Sequence, residues 1–141
     1  MMPESPSALT RLKRPLLYVM SAAYIVAGVA HFLAPKPFAH IVPDELPKPV
    51  GLVYLSGLAE VALGLGVLHP RTRSRAARGI VLLLVAVFPA NVNMAVRGEG
   101  LETVPDRLSG VARAVAWLRL PLQAVLIAWA WWYTDPLPAE E

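Results

Sequence analysis

The stretch LLYVMSAAYIVAGVAHFLA, residues 16–34, runs for 19 residues without Asp, Glu, Lys or Arg. About 20 predominantly apolar residues cross a bilayer as a helix, whereas a buried helix of a soluble protein has about 10–14. Three similar blocks follow. Residues 50–68 and 114–134 contain one charged residue each, and residues 79–96 contain none. The pattern predicts four membrane-spanning helices.

The composition agrees with a membrane protein. Hydrophobic residues make up 56% of the chain and charged residues 16%, with a mean hydropathy of +0.51. Disordered chains are rich in charge and poor in apolar residues, so the 14 prolines do not indicate disorder. The lack of cysteine excludes disulfides, thiolate metal sites and iron–sulfur clusters. The net charge of +3 fits positively charged cytoplasmic loops, and we expect no nucleic-acid partner.

We therefore predict an all-α protein, an integral membrane bundle of four transmembrane helices with up-down connectivity. The predicted helices cover residues 16–34, 50–68, 75–96 and 114–133. The predicted organisation is a cytoplasmic N-terminal tail (residues 1–14), a four-helix transmembrane domain (15–134) and a cytoplasmic C-terminal tail (135–141). Most prolines lie between the blocks, but Pro89 and Pro121 lie well inside them and should kink their helices.

Polar residues inside the blocks are expected to face the bundle interior, because a lipid-exposed polar group is costly. At about 1.5 Å per residue, they all fall in the half of the bundle away from the termini. The opposite half is nearly pure hydrocarbon. We expect the following residues to form a polar core or a ligand-binding pocket: His31, Glu60, Asn91, Arg119, Gln123 and Tyr24.

Glu60 leaves two interpretations open. It has an architectural role if it forms a buried ion pair with Arg119 or, when protonated, a hydrogen bond between helices. It has a functional role if it binds a ligand or exchanges protons. Arg119 pairs with Glu60 or extends to the membrane interface, and His31 is an interfacial histidine or a ligand-binding one. The pattern assigns no catalytic residue, and we predict no metal site.

Four separated segments carry a resemblance to a known family. They are AGVAHF (residues 27–32), YLSGLAE (54–60), VFPANVNM (87–94) and WLRLPLQ (117–123). In this order they resemble the DoxX-like proteins, a four-helix family of the bacterial inner membrane, over residues 15–134. The resemblance implies a multi-pass inner-membrane protein and a shared polar core of His31, Glu60, Asn91, Arg119 and Gln123. It implies no established activity.

Two functions fit these observations, and whether the protein is an enzyme stays open. In the first, it binds a quinone or another lipophilic molecule as a subunit of a membrane oxidoreductase. No resident cofactor is evident in the sequence, and a quinone is the candidate ligand. The electrons would therefore come from a partner protein. In the second, it is a non-catalytic structural or assembly factor for a membrane or periplasmic partner, since buried polar residues can fix helix packing without chemistry.

The first testable prediction is the orientation in the membrane. The N-terminal tail and the connection at residues 69–78 hold seven of the Lys and Arg residues, and the two longer connections hold five. Cytoplasmic loops are enriched in these residues, so both termini should be cytoplasmic. A reporter protein that is active only in the cytoplasm should be active when it is fused after Glu141. Activity of a periplasm-specific reporter at this position would contradict the prediction.

Overall fold

A computed structural model of the chain describes residues 5, 7–98 and 101–137, except for the side chain of Thr103. The described residues are mostly helical and contain no strand. Two 3-10 turns, Leu101–Thr103 and Asp106–Leu108, precede the last helix. The helices are α1 (Ala8–Leu33), α2 (Pro35–His40), α3 (Pro49–Gly66), α4 (Arg73–Arg97) and α5 (Ser109–Trp132).

Helices α1, α3, α4 and α5 are long and apolar enough to cross a membrane, and the described residues contain four such helices. The prediction of an all-α membrane bundle with four spans and up-down connectivity is therefore confirmed. The predicted span limits differ from these helices by a few residues at most ends. The exceptions are the starts of α1 and α5, which lie earlier than predicted.

Helix α1 begins at Ala8 instead of Leu16. The side chain of Ser7 accepts a hydrogen bond from the Thr10 N–H at 3.2 Å and so caps the first turn. Pro15 lies inside the helix. Helix α1 thus begins inside the segment predicted as the N-terminal tail. Residues 1–4 and 6, like residues 138–141 of the predicted C-terminal tail, lie outside the described residues.

The first connection contains α2, which the sequence analysis did not predict. Pro35 and Pro37 lie in its first turn. The N–H groups of a first turn have no acceptor within the helix, so proline removes no helical hydrogen bond there. Lys48 then adopts a left-handed conformation with φ of 50° directly before α3. Helix α4 ends at Gly98, whose φ of 70° suits a residue without a Cβ.

The bundle has two distinct ends. At one end of the bundle, α1 begins, α3 leads into α4, and α5 ends. We call this the terminal end, and we call the opposite end the loop end. In sequence, α1 packs on α3, α3 on α4 and α4 on α5, whereas α1 has no extensive backbone contact with α5 within the described residues. The two helices are joined at the terminal end, where the Tyr133 O–H donates to the Lys13 carbonyl oxygen at 2.9 Å. The ammonium of Lys13 also donates to the carbonyl oxygen of Pro136 at 3.3 Å.

The hydrophobic core lies toward the terminal end. Arg73 is buried there, and its guanidinium donates to the carbonyl oxygens of Val67 and Leu68, which α3 leaves without helical partners at its end. The core therefore holds all four long helices together at this end. Its buried members are Leu17, Met20, Val67, Ala76, Ala77, Ile80, Leu84, Ala130, Tyr133 and Leu137.

Glycines bring α1 and α3 into backbone contact. A Cβ on Gly28 would lie 2.6 Å from the Gly57 carbonyl oxygen, and a Cβ on Gly57 would lie 2.9 Å from that of Gly28. Two turns closer to the terminal end, the Ser21 hydroxyl donates to the Gly64 carbonyl oxygen at 2.7 Å. Small residues allow such close approach between membrane helices, so these positions set the distance between the two antiparallel helices.

The second prediction concerns this contact. Gly57→Ala should lower the free energy of unfolding by about 1–3 kcal/mol, because the added methyl group forces tightly packed backbones apart. Unfolding can be measured by titrating the purified protein with SDS in mixed micelles. Gly110→Ala is the matched control, since a Cβ at this helical position meets nothing within 4 Å. Equal stability of the two variants would show that the α1–α3 contact is not close.

Candidate functional site

The interior face of each long helix can be traced through residues seven apart, because seven residues complete nearly two helical turns. In every long helix, the residues of this face near the terminal end are apolar or aromatic, and a polar residue follows toward the loop end. In α3, the buried Val53 lies still nearer the loop end than Glu60. Read from the terminal end, these interior stripes are Leu17–Tyr24–His31, Val67–Glu60, Ala77–Leu84–Asn91 and Tyr133–Leu126–Arg119.

The stripes face the interior because their terminal-end members belong to the core. Tyr24 and Leu126, in the middle of two stripes, pack against the same core. The polar members lie toward the loop end of the same stripes, where Asn91 is buried, His31 and Glu60 are partly buried and Arg119 is exposed. We call this region the polar cleft and define it by Tyr24, His31, Glu60, Asn91 and Arg119.

The partner of Glu60 is His31. His31 Nδ1 lies 3.1 Å from Glu60 Oε2, and only 13% and 16% of the two side chains are exposed. Gly28 and Gly57 each lie three residues before one member of the pair, so the glycine contact brings the two side chains together. Tyr24, one turn before Gly28, lies close enough to Glu60 for an electrostatic interaction with its carboxylate.

The hydrogen bonds of this pair are incomplete. His31 Nδ1 also lies 2.6 Å from the Ala27 carbonyl oxygen. A ring nitrogen this close to a carbonyl oxygen must carry a hydrogen, and we assign its donation to that shorter contact. Glu60 Oε2 is then buried without a hydrogen-bond partner among the described residues. His31 Nε2, which makes no hydrogen bond there either, accepts one in the neutral ring and donates one in the imidazolium.

The predicted pairing of Glu60 with Arg119 is wrong. The side chain of Arg119 is exposed, and it makes no ion pair or hydrogen bond with the described residues. The reason is the packing order: α3 lies against α1 and α4, whereas α5 lies against α4. Glu60 therefore pairs with His31, which lies on the neighbouring helix α1.

Of the remaining predicted residues, Gln123 and Asn91 are both buried, but only Gln123 makes a hydrogen bond among the described residues. The buried Gln123 amide donates to the Leu84 carbonyl oxygen, next to the carbonyl of Val85 that Pro89 deprives of its helical partner. This hydrogen bond joins α5 to α4. Asn91 is buried but makes no hydrogen bond with the described residues, so its amide has no assigned partner.

The first connection covers the loop end, and the sequence analysis did not predict its contacts. Phe38 of α2 stacks on the His31 ring, with centroids 3.9 Å apart and planes at 17°. The Asn93 amide donates to the Ile41 carbonyl oxygen at 3.2 Å. The detectable signals were the paired prolines before Phe38, which favour a helix start, and the second asparagine in the block at residues 79–96.

An exposed ion pair fixes the same connection to α4. Arg97 Nη2 donates to Glu45 Oε1 at 3.1 Å. The pKa of Glu45 is lowered by a hydrogen bond from its own backbone N–H and then by the Arg97 guanidinium. The stabilisation is therefore present at neutral pH and is lost as the pH falls through this lowered pKa. Because both groups are exposed, it is small.

A family model matches residues 20–134, a range that contains the whole polar cleft. The chain belongs to the DUF8561 family. The description of this family is a domain of unknown function, so membership assigns no activity and the resemblance to DoxX-like proteins stays a prediction. No curated protein and no solved structure matches the chain significantly. Within the described residues, no three His, Asp or Glu side chains come together as a metal site.

The third prediction distinguishes the observed partner of Glu60 from the expected one. In a double-mutant cycle, Glu60→Gln and His31→Gln should be coupled by about 0.5–3 kcal/mol in unfolding free energy, as residues in contact are. Glu60→Gln and Arg119→Gln should add to within about 0.5 kcal/mol, because they share no partner. The same SDS titration measures both cycles. Coupling to Arg119 without coupling to His31 would contradict the assignment.

Proposed function

We propose that this protein binds the polar head of a lipophilic molecule in the polar cleft, with a quinone as the first candidate. The observation that carries the proposal is the His31–Glu60 pair. Its buried carboxylate oxygen and its Nε2 have no hydrogen-bond partners among the described residues. Buried polar groups normally find partners within the protein. Free hydrogen-bonding capacity beside an apolar core is typical of a site that binds a ligand head.

The chemistry of the cleft suits a head that carries oxygen atoms. His31 Nε2 and the Asn91 amide can donate to carbonyl oxygens, and Glu60 can exchange a proton with a reduced quinone. Phe38 covers the His31 ring and keeps water from that face. No redox centre is evident in the sequence, so electrons would come from a partner protein, and this protein would act as a subunit of a membrane oxidoreductase.

Access from the bilayer follows from the packing order. In the described part of the chain, Lys13 at the terminal end makes hydrogen bonds that join α1 to residues 133–136 after α5. Toward the loop end the two helices have no extensive backbone contact in the described part of the chain. A lipophilic molecule can therefore approach the cleft sideways between α1 and α5 while its tail stays in the hydrocarbon.

The proposal includes a place in the cell. We propose a multi-pass protein of the bacterial inner membrane with both termini in the cytoplasm, as the resemblance to DoxX-like proteins and the distribution of Lys and Arg suggest. The polar cleft would then open toward the outer leaflet, and α2 would lie at the outer surface. Its partner protein would meet the periplasmic side or the neighbouring helices.

A second candidate is a non-catalytic structural or assembly factor. The hydrogen bonds of Ser21, Asn93 and Gln123 to backbone carbonyls favour it, because they fix helix packing without leaving capacity for a ligand. An open groove of about 490 Å³ at the loop end, lined in part by His40, Asp44 and Glu102, offers a polar surface to a partner protein.

The fourth prediction tests the proposed function. Protein purified from native membranes should contain a lipophilic molecule in a near-stoichiometric amount, identified by mass spectrometry of an organic extract. His31→Gln should reduce this amount about tenfold or more, because a hydrogen bond with a charged group contributes about 1.5–3 kcal/mol. His69→Gln is the matched control, since this exposed histidine lies at the terminal end. A co-purifying protein with no bound small molecule would favour the second candidate.

A further inference from the structure

Among the described residues, Arg119 has no protein partner, although it lies inside a membrane-spanning helix. Its side chain is exposed, and the described residues supply it with no carboxylate, carbonyl oxygen or aromatic ring. The residues next to it on the surface, Leu118 and Leu122, are also exposed and apolar. A guanidinium in such surroundings is costly unless an anion or water reaches it.

The position of Arg119 places it at the opening of the polar cleft. It lies seven residues before Leu126, which packs on the core, and fourteen before Tyr133, which bonds to α1. The same side of α5 therefore contacts α1 at the terminal end and is exposed at the level of Arg119. Glu60 does not neutralise it, because that carboxylate lies beside His31.

The geometry points to an acidic ligand head: the lipophilic molecule in the polar cleft carries a carboxylate or a phosphate that pairs with Arg119. This inference rests on the proposed function and narrows its ligand class. Guanidinium binds both anions in a bidentate manner, which a neutral quinone carbonyl does not permit. Either anion would offset the positive charge that the described residues leave uncompensated on Arg119.

Binding of chain-matched ligands to the purified protein in detergent tests this inference. The probes are oleate, oleyl alcohol, 1-oleoyl lysophosphatidate and decylubiquinone, each measured by equilibrium binding at alkaline pH, where oleate is ionised. Oleate or the phosphate should bind at least about tenfold more tightly than the alcohol, a difference of about 1.4 kcal/mol. The tighter of the two anions identifies the carboxylate or the phosphate as the natural head.

Arg119→Gln should abolish the preference for the anion, and Arg119→Lys should keep part of it. Neither substitution removes a contact in the described structure, so both variants should fold. Arg113→Gln is the matched control, since this exposed arginine lies on a different side of α5. Equal binding of acid and alcohol, a preference that survives Arg119→Gln, or binding of decylubiquinone alone would overturn the inference and leave the proposed function standing. Binding of none of the four probes would overturn both.

Discussion

The backbone contact between α1 and α3 is the constraint on which the site depends. Gly28 and Gly57 let each helix lie against the carbonyl of the other, and a side chain at either position would separate them. In a membrane, helices gain little from excluding lipid, so close van der Waals contact is a main source of their association. The same contact seats His31 against Glu60, and it holds the pair in the loop-end half of the bundle.

Polarity changes along the bundle axis, and this change separates stability from the candidate site. Toward the terminal end, the interior stripes contribute buried apolar residues such as Leu17 and Val67, and the buried Arg73 is satisfied by two carbonyl oxygens. Toward the loop end, the same stripes contribute polar groups, and the hydrogen bonds are incomplete. A bundle joined at one end can keep a polar opening at the other, because its core does not depend on the residues that line the opening.

The sequence predicted the spans well because twenty apolar residues admit few other structures. It also predicted which polar residues share an axis, since helical phase and depth follow from spacing alone. It could not predict which of them meet. Spacing alone places both His31 and Arg119 in the same half of the bundle as Glu60, so the residue that contacts Glu60 depends on which helices are neighbours. The first two helices in sequence proved closest, and a histidine in the same segment as Gly28 became the partner. The stacking of Phe38 on His31 could not be predicted, because a proline-rich connection gives no periodic signal.

The architectural and the functional interpretations of Glu60 make different demands on the structure. An architectural carboxylate would have both oxygens paired, as the Ser21 hydroxyl and the Gln123 amide are paired with backbone carbonyls in the same bundle. Glu60 instead keeps a buried oxygen without a hydrogen bond, although an alanine at this position would avoid that penalty. His31 donates its one Nδ1 hydrogen to the Ala27 carbonyl oxygen, and so among the described residues it leaves this carboxylate oxygen without a hydrogen bond. Among the described residues, the incomplete hydrogen bonds of this pair favour the functional interpretation over the architectural one.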